Sequence, residues 1–104
     1  MPQFVFAYHG GAKPETQEEG ERVMAAWGAW FENIGEALEI PGAPVGMSKT
    51  VSAGGVADDG GANPISGYTV VKADSMDAAT EMAKGCPMVV DGTGSVEVAE
   101  VMEM

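Results

Sequence analysis

A chain of 104 residues, 45% of them hydrophobic, is long enough to bury one modest core and too short for two. Five Lys and Arg stand against 16 Asp and Glu, a net charge of −11. With the cations scattered at Lys13, Arg22, Lys49, Lys72 and Lys84, nucleic acid and anionic membrane surfaces are excluded as main partners.

The first segment, "QFVFAYH" (3–9), is rich in β-formers, with Phe4, Phe6 and Tyr8 on one face and Val5, Ala7 and His9 on the other. Both faces are largely apolar, so both need cover. Gly10 and Gly11 end the strand. Thr16 followed by Glu19 is a capping box, and Glu18, Glu19 and Glu21 suit the positive end of a helix dipole. Val23, Trp27, Trp30, Phe31, Ile34 and Leu38 then recur at helical spacing, which predicts a long helix with an aromatic core face, ended by "IPGAP".

"GMSKTVS" (46–52) reads as a second, more polar strand at a sheet edge. Residues 52–67, "SAGGVADDGGANPISG", read as a long Gly-, Asp- and Asn-rich loop, and "YTVVKA" (68–73) as a third strand. "DSMDAATEMAKG" (74–85) predicts a second helix, capped by Asp74 or Ser75, with Met76, Ala79, Met82 and Ala83 on its buried face and Gly85 at its end. A last strand, "SVEVAEVMEM", alternates Val96, Val98 and Met102 against Glu97 and Glu103.

The order is β-α-β-β-α-β over a single domain, 1–104: an α+β, ferredoxin-like antiparallel sheet with both helices on one face. The other face then lacks a cover, and a second copy of the same sheet supplies one, giving a homodimeric α+β barrel with a closed interior. One cysteine excludes an internal disulfide and fits a reducing compartment. With no basic leader ahead of the first strand and no apolar run of membrane-spanning length, a cytoplasmic protein is expected.

The chemistry-bearing residues are few. His9, the only histidine, ends a central strand beside a glycine pair, where a neutral imidazole can act as general base toward a ligand in a barrel mouth. The competing role is one hydrogen bond to a loop carbonyl. Asp58 and Asp59 on the long loop are the carboxylates available to assist. Tyr8, Ser48, Asn63 and Tyr68 supply polar tips for ligand binding. Cys86, just past a helix C-terminus, sits where the dipole disfavours a thiolate, so it reads as a turn cysteine. "DDGGANP" matches neither a calcium loop nor a phosphate cradle, and one histidine excludes a multi-histidine metal site; no cofactor and no metal are expected.

"GYTVVKADSMDAATEMAKGCP" followed by "GSVEVAEVMEM" resembles the YCII-related family, in the branch described by its DGPF signature. Gly67-Tyr68, Asp74-Ser75, Cys86-Pro87 and Val96-Glu97-Val98 carry the likeness, and "AWGAWFENIGEAL" and "GAPVGMSKTVS" extend it over nearly the whole chain. The resemblance implies a dimeric α+β barrel. It also implies kinship with lactone isomerases and dehydrochlorinases that use a His–Asp pair on small ring compounds. That pair has no counterpart here, since the first helix has no histidine and Cys86 precedes Pro87; the loop "DDGGANPISG" keeps only the Asp-Gly and a later Pro of the signature. The function expected is binding of a small, uncharged or cyclic organic molecule, with isomerase- or lyase-like proton transfer if the protein is an enzyme. The alternative is a non-catalytic small-ligand sensor or a protein-interaction module. His9→Asn separates the two: an enzyme loses activity and keeps its dimer.

Overall fold

The computed structural model describes residues 1–11 and 13–103. Strand β1 (Gln3–Gly10) leads to helix α1 (Gln17–Ile34), a 3-10 turn (Gly35–Ala37) and strand β2 (Leu38–Pro44). A small ribbon of β3 (Thr50–Ser52) and β4 (Gly55–Ala57) precedes β5 (Ile65–Lys72), α2 (Met76–Ala83), the short α3 (Pro87–Val90) and β6 (Gly94–Glu100). Four strands form one antiparallel sheet in the order β2-β5-β1-β6, and β3-β4 stand apart as a second. This is the ferredoxin-like arrangement, with α1 and α2 on one face.

The alternation in β1 divides that sheet. Phe4, Phe6 and Tyr8 are buried under the helices, opposite Val71, Thr69 and Gly67 of β5 and Glu100, Val98 and Val96 of β6. On that side Trp30 stacks on Phe6 with ring centroids 6.0 Å apart, and Trp27 meets Tyr8 edge-on at 5.0 Å. The aromatic face read from helical spacing is therefore core. Trp30 also donates its indole N–H to the Met82 carbonyl at 3.1 Å, tying α1 to α2. Thr69, fully buried, accepts from the Tyr8 hydroxyl at 2.6 Å and donates to the Pro41 carbonyl at 2.9 Å.

Both helix starts follow the capping chemistry in the sequence. The Thr16 hydroxyl accepts from the Glu19 N–H at 3.1 Å, while the Glu19 carboxylate reaches back to the Glu15 N–H at 3.0 Å. Ser75, not Asp74, caps α2 through the Ala78 N–H at 3.1 Å.

The second strand is the main correction. It spans Leu38–Pro44, where the sequence suggests the end of a helix, and 46–49 have no strand structure. Gly35 takes a positive φ of 59° and stops α1, so Leu38 belongs to the strand despite its helical spacing. Prolines 41 and 44 are tolerated because β2 is an edge strand. Its register breaks between Leu38 and Ile40 and again between Ile40 and Ala43. At the second break Gly42 has φ +74°, and a Cβ there would overlap the Tyr68 carbonyl.

Three smaller corrections follow. Only 50–52 of the expected strand 46–52 is strand, and it pairs with Gly55–Ala57 inside the expected loop to form the β3-β4 ribbon. Met76 is 43% exposed, leaving Ala79 and Ala83, with Met82 half-buried against the core, as the inward face of α2. Met102 lies beyond β6 and is exposed, so Val96 and Val98 alone form that strand's core side.

Candidate functional site

The helix-free face of the sheet carries Val5, Ala7 and His9 from β1, Tyr68 and Val70 from β5, and Ser95, Glu97 and Ala99 from β6, by register. His9 stands directly opposite Ser95, and Glu97 is opposite Ala7, so His9 and Glu97 are diagonal neighbours on one face. The His9 Nε2 lies 3.0 Å from Glu97 Oε1. Its Nδ1 lies 3.0 Å from the Asn63 carbonyl and 3.2 Å from the Pro64 carbonyl.

These partners assign the ring. Two carbonyls can only accept, so Nδ1 carries a hydrogen and donates to both. Nε2 then faces a carboxylate oxygen at 3.0 Å, a contact that becomes an ion pair when the ring takes a second proton. The ring is 13% exposed while the Glu97 side chain is 71% exposed, so the histidine is held and the carboxylate is free to turn. Opposite His9, the β1-β5 register shifts: Tyr8 pairs with Gly67 but His9 with Ile65, leaving Ser66 as the extra residue. Among the described residues the buried Ser66 hydroxyl has no hydrogen-bond partner.

The other residues singled out in the sequence divide clearly. Tyr68 shares the open face and is 39% exposed. Asn63 meets His9, through its backbone carbonyl. Tyr8 lies on the opposite, helix-covered face, where burial pushes its phenol well above the usual range and the Thr69 hydrogen bond offsets this only in part. Asp58 pairs with Lys49 at 3.0 Å, and Asp59 accepts from the Gly61 N–H at 3.0 Å. Neither is a hydrogen-bond partner of His9; both brace the base of the β3-β4 ribbon. Ser48 belongs to the same base, where a Cβ on Gly60 would lie 2.9 Å from its Oγ. The carboxylate at His9 is Glu97, which the sequence presents only as the solvent side of a strand. Pairing "FAYH" antiparallel with "VEV" is the signal that would have found it.

Cys86 is fully buried and is the N-terminal cap residue of α3. Burial pushes its thiol up, with the Met88 and Val89 N–H groups opposing and Asp91 adding to the rise. A cavity of about 600 Å³ lies at the far end of the sheet from His9, between Met1–Gln3 and 100–103. Among the described residues, no three His, Cys, Asp or Glu side chains converge, and no helix is long and apolar enough to cross a membrane.

Comparison with solved structures finds this fold in the 5-chloro-2-hydroxyhydroquinone dehydrochlorinase TftG of Burkholderia phenoliruptrix AC1100, in complex with 2,5-dihydroxybenzoquinone. The match has a TM-score of 0.58 at 18% identity and covers 100% of this chain and 96% of that one. Comparison with curated proteins finds no match. The family model of the YCII-related domain matches residues 4–104, and with that match the chain belongs to the YCII-related domain family.

Proposed function

We propose that this protein is a cytoplasmic homodimer that binds a small cyclic organic molecule between two stacked sheets, where the His9–Glu97 pair accepts and returns a proton. The observation that carries this is the ring's bonding. Nδ1–H is held by two carbonyls, so a neutral ring keeps its lone pair on Nε2, directed to the open face. A proton taken from a ligand arrives at Nε2, and the adjacent Glu97 carboxylate stabilises the resulting imidazolium. Tyr68, on the same open face, is a nearby group for fixing the ligand's orientation. Asn63 bounds the site through its carbonyl on His9, and Ser48, Asp58 and Asp59 stand at the base of the adjoining ribbon. The structurally similar dehydrochlorinase acts on a chlorinated hydroxyhydroquinone and holds a dihydroxybenzoquinone. Both are hydroxylated six-membered rings, which supports the choice of ligand class.

The dimer is supported by surface area. A compact monomer of 10.7 kDa exposes about 5,500 Å², whereas this chain exposes 7066 Å². The excess of about 1,600 Å² falls within the range that one partner of a permanent dimer buries. The Cα radius of gyration, 14.8 Å, likewise exceeds the roughly 13 Å of a compact chain this long. A one-cysteine chain with that thiol buried has no need of an oxidising compartment.

Proton NMR of the single histidine tests the proposal. Against a panel of lactones and hydroxylated ring compounds, the His9 ring signals should move with one chemical class, and His9→Asn should abolish turnover or binding of that class while leaving the dimer intact. Binding of such a compound with the ring signals unmoved would refute it.

A further inference from the structure

We infer that the β3-β4 ribbon is an arm that closes the partner subunit's binding face, an inference that rests on the homodimer proposed above. The ribbon pairs Thr50 with Ala57, Val51 with Val56 and Ser52 with Gly55. All of these residues are exposed, and the facing valines are 76% and 61% open to solvent. A free two-stranded ribbon is at best marginal in water, and a cross-strand valine pair stabilises it only when covered.

The base of the ribbon is nevertheless firmly built. Thr50 donates to the Asp59 carbonyl at 2.7 Å, Lys49 pairs with Asp58, and the chain runs on through Gly61 to the two carbonyls on His9. The Thr50 and Lys49 ties join the two sides of the ribbon to each other, so the hairpin is held as one unit that meets the sheet through the 61–64 segment. The molecule is a plate of 43 × 42 × 19 Å, and the bare valines show that the arm is not packed on its own sheet.

A second copy laid on that open face supplies the cover. Its β2-β5 rim presents Ile40 at 47% and Tyr68 at 39% exposure, an apolar match for two valines. Charge favours the same contact. Each copy carries −11, yet residues 50–57, "TVSAGGVA", hold no charged side chain. The arm is thus a stretch that can touch another copy without adding repulsion. Each site then takes His9 and Glu97 from one chain and its apolar outer wall from the other.

Cross-linking with Ala53→Cys, at the tip of the ribbon, tests this in the full-length protein. A benzophenone maleimide will attach there in preference to the buried Cys86, and dimers mixed from ¹⁴N and ¹⁵N chains distinguish contacts within a chain from contacts between chains. The expected product joins chains of different isotope and lands on peptides containing residues 38–44 or 65–70. A labelled protein that sediments as two chains but cross-links only within one isotope, or only to the partner's residues 50–57, overturns the arm and leaves the dimer standing. Sedimentation as a single 10.7 kDa chain overturns both.

Discussion

Replacing His9 by Leu, set beside Glu97→Gln, separates the two ends of its ring. Leucine fills most of the ring's volume and suits a strand, so the change removes chiefly hydrogen bonds. Nδ1–H is one donor shared by the Asn63 and Pro64 carbonyls; losing it costs about 1 kcal/mol, and up to about 3 if the carbonyls stay dry. Loss of the Glu97 contact adds at most about 1 kcal/mol, because that carboxylate is 71% exposed and well screened. New apolar burial by Leu gives part of this back. The expected net is about 1–2 kcal/mol, felt where the loop is tied to β1. The readout is amide exchange. The Val45 N–H, bonded to the Ser66 carbonyl at 3.0 Å, and the Gly61 N–H, bonded to Asp59, should exchange about 5- to 30-fold faster. The Val70 and Val71 amides, in the middle of β5, should serve as unchanged references. Glu97→Gln, which leaves Nδ1 alone, should keep Val45 and Gly61 within about twofold of the parent. Parent-like exchange of both amides in His9→Leu would show that Nδ1 does not hold the loop, and the assignment of the ring would fail with it.

Thr69→Val preserves shape but leaves the Tyr8 hydroxyl without its acceptor and the Pro41 carbonyl without its donor, at a cost of about 1–3 kcal/mol. Chemical denaturation should show this, and adding Tyr8→Phe should recover part of it. Cys86 should resist iodoacetamide at neutral pH in the folded protein and react at once in denaturant, since burial keeps it a thiol. Because the folded state holds this proton to higher pH than the unfolded chain, its contribution to stability is complete below the unfolded thiol's pKa of about 8.5. That contribution is lost as pH rises through the higher folded value, which a denaturation series against Cys86→Ala will resolve.

Segments that repeat at one period over several residues were legible in the sequence. The Phe4-Phe6-Tyr8 face, the Trp27-Trp30-Ile34 stripe and the Thr16 and Ser75 starts follow from side-chain direction and capping, both of which are local. Strand β2 was not, because the features that read as breakers, Pro41, Gly42 and Pro44, are tolerated only by virtue of its place at the sheet edge. Of the β3-β4 ribbon, 50–52 was read as strand but β4 was hidden, because three residues are too few for a period to show. The site was half legible. His9 is conspicuous as a lone histidine at a strand end, but its partners lie 54, 55 and 88 positions away, and only the register of three strands and a loop brings them to it.

Those distant partners also bear on the choice between chemistry and strand closure that a lone histidine poses. The two nitrogens divide the roles. Nδ1 anchors the segment that runs back through Asp59 to the base of the arm, while Nε2 faces an exposed carboxylate on the open side of the sheet. A ligand that meets Nε2 beside Glu97 leaves the anchor untouched, so the ring can exchange a proton without loosening the loop that orients it. This is the arrangement a base needs: a fixed hydrogen on one nitrogen and a directed lone pair on the other. Here the β1-β5 bulge at Ser66 and the 58–64 segment supply the anchor, which puts the proposed chemistry of this chain on the sheet.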